Sequence, residues 1–285
     1  MAPTPTTPAD LPPFVDTAWL EAHRNDVVIA DARWYLGGAS GRSAYDGGHV
    51  PGAVFVDLDA WLSGEAGPDG LNPLPDPDVF ACGMSSLGIG DRTAVIAYDD
   101  AGGVIAARLV WMLRATGHPA ALLDGGIAAW TGPLETTSVK PTPATFRPVP
   151  WPESRLARLE DITAGRAGII VDARNADRFD GTLQLPTDPQ AGHIPGAVNV
   201  PCRANLSPNG RLRPVAEFGL RSRGLGSITP PPSSPTAAQA LRRATTSSPL
   251  NTPDLARVGS TQAAGRSMPP PQDARQSWAD KLQSP

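Results

Sequence analysis

The chain has 285 residues, with 24 Lys and Arg against 28 Asp and Glu and a formal net charge of −4. Its 40% apolar content can build a core, and the length suits two ordinary domains or one large one. The charge balance offers no basic stripe for nucleic acid, and no apolar run reaches the roughly 20 residues that span a bilayer. The opening Met1-Ala2-Pro3-Thr4-Pro5 lacks the basic and apolar regions of a secretory signal. No nucleic acid, no membrane and a cytoplasmic location are expected. Two cysteines, Cys82 and Cys202, make neither a disulfide framework nor a zinc cluster, so no metal is expected.

In chain order, Val27–Ala30 is a short continuous apolar run, as a strand covered on both faces requires. Ala53–Val56 reads as a second strand. Thr93–Tyr98 is the strongest strand, apolar and β-branched after the turn Gly90-Asp91. Ile105–Ala115 has helical period, with Ile105, Leu109, Met112 and Leu113 on one face, and Gly117 is placed to cap its end. Ala121–Leu123 is a further strand, and Ile127–Trp130 starts another helix. Strands alternating with helices predict an α/β fold with a parallel sheet flanked by helices.

An internal repeat organises the chain. Val27-Val28-Ile29-Ala30-Asp31-Ala32-Arg33 recurs as Gly168-Ile169-Ile170-Val171-Asp172-Ala173-Arg174. Gly48-His49-Val50-Pro51-Gly52-Ala53-Val54 recurs as Gly192-His193-Ile194-Pro195-Gly196-Ala197-Val198. Two copies of one domain are expected: a first at 14–135, a proline-rich linker at 136–152, and a truncated second at 153–229. Residues 230–285 hold ten prolines, no Ile, Phe or Tyr, and one Val. Such a segment cannot bury enough surface to offset about 1–2 kcal/mol of chain entropy per residue, so disorder is expected there. Its two Pro-Pro-Pro runs could serve as polyproline-II ligands.

Asp-Ala-Arg followed by Gly-His-Ile-Pro-Gly-Ala, in order in both halves, resembles the rhodanese family of sulfurtransferases. The tandem arrangement is similar to the two-domain thiosulfate and 3-mercaptopyruvate sulfurtransferases. The resemblance covers roughly residues 14–228 and implies two rhodanese-like domains, of which only the second is catalytic. It implies an enzyme with no cofactor, whose partners are a small anionic sulfur donor and a thiol or cyanide acceptor. It places the nucleophilic cysteine in a loop after the central strand, where inward N–H groups and a helix N-terminus lower the thiol pKa.

Asp99 stands at that place in the first copy. A carboxylate cannot accept sulfane sulfur, so the first domain is expected to be non-catalytic; Asp99-Asp100 alone would make a poor metal site. Arg178, in the Arg-Phe pair of the second copy, is implied as the ligand of the anionic donor, since a guanidinium matches carboxylate or thiosulfonate oxygens in a fork; a surface ion pair is its bland alternative. Asp31, Arg33, Asp172 and Arg174 are expected to hold the strand-to-loop turn. His49 and His193 are tempting acid–base groups, but their shared Pro-Gly context, present also in the non-catalytic half, favours a structural turn.

No catalytic cysteine stands in the expected place. Cys82 lies ahead of the first central strand and is expected to be a buried packing residue. Cys202 follows the second strand of the second copy, also well before a central strand. After Thr229 the second copy should continue into its own central strand, loop and helix. Joining the last base of each codon to the first two of the next lets Pro232–Ala240 read Val-Val-Ala-Tyr-Cys-Gly-Ser-Gly, and Val258–Arg266 read Arg-Leu-Tyr-Pro-Gly-Ser-Trp-Ser. The interval from the hidden cysteine to the hidden Pro-Gly glycine is 26 positions, as it is from Asp99 to Gly125. A frameshift near Thr229–Pro232 is expected. A non-catalytic rhodanese-like module that binds anions or proteins is the alternative function. The donor, the acceptor and the oligomeric state stay open.

Overall fold

The computed structural model describes residues 11–217 except 37, 68–69, 167, 186–189 and 215–216. The expected disorder of 230–285 and the last residues of the truncated copy lie outside the described residues. A five-stranded sheet forms from β1 (Phe14–Val15), β2 (Val27–Asp31), β3 (Val54–Phe55), β4 (Ala94–Tyr98) and β5 (Ala120–Leu123). Its order is β1-β5-β4-β2-β3, and every pairing is parallel.

β4 is central because its side chains serve both faces. Val95 and Ala97 join a core with α3 (Pro77–Ser86) and α4 (Ala106–Ala115), while Ala94, Ile96 and Tyr98 join a second core with Leu20 of α1 (Thr17–Ala22). All five residues of β4 are buried, which is why the sequence there is apolar without alternation. In α4, Leu109, Met112 and Leu113 are fully buried. This helix ends as a glycine stop: Gly117 adopts φ +89 and His118 N–H donates to the Leu113 carbonyl. The turn expected to open a helix at Ile127 is a short 3-10 segment, Gly126–Ala129. Between β2 and β3 lies α2 (Gly41–Gly47), and a π-helical turn, Leu58–Leu62, follows β3.

Residues 141–151 form neither helix nor strand, yet they run as a strap along the first unit. Ala144 N–H donates to the Ser85 carbonyl, Asp91 N–H to the Thr145 carbonyl, and Trp151 Nε1–H to the Pro75 carbonyl. Phe146 is buried, edge-on to Phe80 and stacked on His118. Proline suits such a segment, because it forgoes ladder hydrogen bonds and keeps the backbone extended.

Beyond the strap come α5 (Leu159–Thr163), β6 (Val171–Asp172), α6 (Ala176–Phe179) and β7 (Val198–Asn199). β6 and β7 pair in parallel as β2 and β3 do. Their surroundings differ. From residue 153 onward, Ala173 and Ala197 are the only buried apolar side chains among the described residues, and Ile169 is 54% exposed. No described helix is long and apolar enough to cross a membrane.

Candidate functional site

The site is built at the carboxyl end of β4. There the chain leaves the sheet through Asp99, turns at Gly102 (φ +79) and Gly103 (φ +85), and enters α4. Two consecutive left-handed glycines aim successive amides at one point. The Asp99 carboxylate fills that point. Oδ1 accepts from the N–H groups of Ala101 (2.9 Å) and Gly103 (2.7 Å), and Oδ2 from those of Ile105 (2.8 Å) and Ala106 (2.9 Å). Complete burial pushes the carboxyl up, and the four N–H bonds offset only part of that rise. Both oxygens face donors only, which favours the ionised group against burial. It is an anion cradle already occupied by the chain's own anion.

Beside it, Asp100 accepts from the Tyr35 hydroxyl at 2.5 Å. Partial burial and that bond push the phenol up to about 12. No group of three or more metal-ligating side chains occurs among the described residues, and both Asp99 oxygens are engaged by amides.

The second half reaches across to this loop. Leu206 and Leu212 bridge in antiparallel fashion around the turn Ser207–Arg211. Leu212 N–H donates to Asp124 Oδ1 at 2.7 Å. Leu206 packs so close to Gly102 that a β-carbon there would lie 2.5 Å from its Cδ1, and Arg211 lies against Gly125. The cradle mouth is thus walled by residues 206–212.

The two Asp-Ala-Arg motifs adopt one geometry. Arg33 Nη2 donates to Asp31 Oδ2 and to the Gly48 carbonyl, both at 2.7 Å; Arg174 Nη2 donates to Asp172 Oδ2 at 2.6 Å and to the Gly192 carbonyl at 2.7 Å. Each pair ties the end of a strand to the Gly-His turn that leads into the next. His49 stacks on Tyr45 (3.8 Å) with Nδ1 2.8 Å from the Tyr45 carbonyl, and His193 stacks on Phe179 (3.7 Å) with Nδ1 2.7 Å from the Phe179 carbonyl. Facing a carbonyl, each Nδ1 must carry the proton. His49 is fully buried, and its Nε2 has no hydrogen-bond partner among the described residues; His193 is exposed. In both turns the histidine spends its donor on the backbone.

Tyr98 was not singled out by the sequence, although it is the one hydroxyl in an otherwise apolar strand. It donates to Asp31 Oδ2 (2.8 Å) and accepts from Val50 N–H (3.0 Å), locking the central strand to the Asp-Ala-Arg motif and the His49 turn. Burial, with Asp31 beside it, pushes its phenol up.

Arg178 lies half-buried on α6, its N–H donating to Asp177 Oδ1. Cys82 corrects the expectation of a buried packing residue: it is exposed, on the outer face of α3, while its neighbours Ala81 and Gly83 face the core. Cys202 sits where Cys202–Asn205 begins a 3-10 turn, and burial pushes its thiol up more than the neighbouring Arg203 pulls it down. A raised thiol is the opposite of an activated nucleophile.

Comparison with known proteins places these features in context. The rhodanese-like domain family matches residues 15–133. The probable 3-mercaptopyruvate sulfurtransferase of Pseudomonas aeruginosa is 37% identical over 207 residues, covering 69% of this chain and 72% of that protein. The 3-mercaptopyruvate sulfurtransferase of Escherichia coli is 35% identical over 217 residues, covering 72% and 76%. The crystal structure of SseA from Escherichia coli, described as a 3-mercaptopyruvate sulfotransferase with the rhodanese fold, superposes with a TM-score of 0.68 at 32% identity, over 87% of this chain and 96% of that one.

Proposed function

The chain belongs to the rhodanese family of sulfurtransferases, and from that premise we propose a protein whose line moves sulfane sulfur from thiosulfate or 3-mercaptopyruvate to cyanide or a thiol, but which as written is impaired. In such a reaction a cysteine thiolate attacks the outer sulfur of the donor. With thiosulfate, the sulfur–sulfur bond breaks and sulfite leaves with the electron pair, so the cysteine carries a persulfide. Cyanide then takes the terminal sulfur as thiocyanate and the thiolate returns.

The observation that carries the reading is the cradle at Asp99. Four backbone N–H groups converge on one side chain at the end of the central strand, the arrangement that would stabilise a thiolate or persulfide. Here a carboxylate fills it, so the first unit holds the loop without the nucleophile. Cys82 and Cys202 stand elsewhere, one on an outer helix face and one with a raised pKa. Arg178 is the proposed ligand of the donor's anionic end, and Asp172, Arg174 and His193 the turn that presents it. The cytoplasm is the proposed location.

The same occupied cradle favours the second reading, a non-catalytic module. Purified protein assayed with thiosulfate and cyanide, and with 3-mercaptopyruvate and a thiol, is expected to turn over at the rate of a protein-free control. Turnover matching an intact family member would overturn the impairment.

A further inference from the structure

We infer that the Gly-His turn of the second repeat, residues 192–196, is a docking site for an extended segment of a partner protein that presents a leucine followed by a glutamate. The site is separate from the Asp99 cradle, so its occupancy does not depend on sulfur transfer.

The turns of the two repeats share a backbone. Ala53 N–H donates to the Val50 carbonyl and Ala197 N–H to the Ile194 carbonyl, both at 2.9 Å, while Gly52 and Gly196 adopt φ +78 and +82. Their histidines stack and bond alike. Yet His49 is fully buried and His193 is exposed.

The difference follows what crosses each turn. Residues 134–139 run over the first. His49 and Glu135 exchange both backbone hydrogen bonds, each of 2.9 Å, as an antiparallel bridge. Glu135 Oε2 accepts from Gly52 N–H at 2.9 Å. Leu134 rests on Gly48, where a β-carbon would lie 3.1 Å from its Cδ1. Main-chain bonds of this kind hold an extended segment whatever its sequence, and the leucine and carboxylate select it.

The second turn presents the same groups outward. Among the described residues, the N–H and carbonyl of His193 and the N–H of Gly196 have no hydrogen-bond partner. A β-carbon on Gly192 or Gly196 would meet nothing within 4 Å. Unpaired backbone groups at an exposed edge are a template for another chain, and a carboxylate over the Gly196 N–H gains a charge-assisted bond. Two features differ. Phe179 stands at the place of Tyr45, so the bond from Val139 N–H to the Tyr45 hydroxyl has no counterpart. The leading glycines have φ +155 at Gly48 and +91 at Gly192. The bridge and the carboxylate are therefore expected to contribute more than the leucine.

The composition of the chain points to a different protein as the source. No Glu follows Glu217, and no leucine after it precedes an acidic residue. The pairs that begin at Leu20, Leu58, Leu123 and Leu159 lie in α1, the π-helical turn, the end of β5 and α5. A second copy thus has no extended pair to offer, and Leu134-Glu135 is already engaged in its own chain.

The test titrates the full-length, isotope-labelled chain with a peptide of residues 131–140, Thr-Gly-Pro-Leu-Glu-Thr-Thr-Ser-Val-Lys. Saturable amide shifts at Gly192, His193 and Gly196 are expected, with a Kd of about 1 mM or tighter. Methylating the glutamate nitrogen removes the bridge donor, and a Glu135→Gln peptide removes the charge. Each is expected to weaken binding at least about fivefold, and a Leu134→Ala peptide by less. No saturable shift at those three amides up to about 5 mM peptide overturns the inference, as does equal affinity for the N-methyl and parent peptides. Shifts at Gly48 and Gly52 in their place also overturn it. A chain ending at Ser277 that binds the peptide at least about tenfold more tightly than the full chain makes the chain's own tail the occupant and overturns the partner protein.

Discussion

At the scale of single residues, Asp99 and the two cysteines carry opposite electrostatic lessons. Four N–H groups meet two carboxylate oxygens. Asp99→Asn keeps the shape but turns an NH₂ toward two of those donors. That variant loses charge-assisted bonds of about 1.5–3 kcal/mol each and leaves buried amides unsatisfied. We predict destabilisation of about 3 kcal/mol or more, read by urea unfolding; a loss under about 1 kcal/mol would mean that the cradle binds the neutral carboxyl equally well. The cysteines are distinguished by exposure, and burial raises the thiol of Cys202. Exposed Cys82 should react rapidly with a chromogenic disulfide reagent, whereas Cys202, its thiol raised by burial, should lag by at least about tenfold near neutral pH. Cys82→Ser removes the fast phase. Equal rates for both thiols would remove the argument against Cys202 as a nucleophile.

At the scale of elements, sequence and structure agree where an element is apolar and long. β2, β4, β5 and α4 were legible because each puts buried residues in a row or at helical period. α1, α2 and α3 carry no such row or period. α3 illustrates the reason: Gly83 interrupts its apolar pattern, and it is glycine because a β-carbon there would lie 2.6 Å from the Trp61 ring. A constraint set by a partner distant in sequence leaves no periodic trace. The turn motifs were legible because they recur, and Tyr98 was missed because its partners, Asp31 and Val50, are distant in the chain. The proline-rich segment reads as a linker by composition, yet 141–151 are held by bonds to Ser85, Asp91 and Pro75. His118 beneath Phe146 makes that strap pH-sensitive. Burial lowers its pKa below 6.5, Asp91 opposing. The unfolded chain therefore binds the proton more readily, so stability rises with pH through the window just below 6.5 and is fully present above it. Wild type is predicted to lose stability between pH 6.5 and 5 by more than His118→Gln does, measured by urea midpoints. Parallel pH profiles would remove His118 from the account.

At the scale of the whole molecule, the two halves differ in what they bury. The first closes two apolar cores around β4, from Leu20 and Tyr98 on one face to Leu109 and Met112 on the other. The second, among the described residues, buries only Ala173 and Ala197 of its apolar side chains. Burial of a large apolar side chain is worth about 1.5–3 kcal/mol, so two alanines cannot hold a β6–β7 pair closed on their own. The Arg174–Asp172 pair adds geometry more than net stability, since desolvating two charges offsets much of their attraction. Local opening free energy follows local burial. Amide exchange should therefore divide the chain: the amides of β2 and β4 are expected to open only with global unfolding, and those of β6 and β7 to exchange at least about a hundredfold faster under native conditions. The contacts of Leu206 and Leu212 with Gly102 and Asp124 fasten one edge of the second half to the first without supplying it a core. A single protection level across both halves would remove the structural ground for impairment. A sharp division places that ground in the residues at 153–217, where a turn is built in full around Arg174 beside a core that is not.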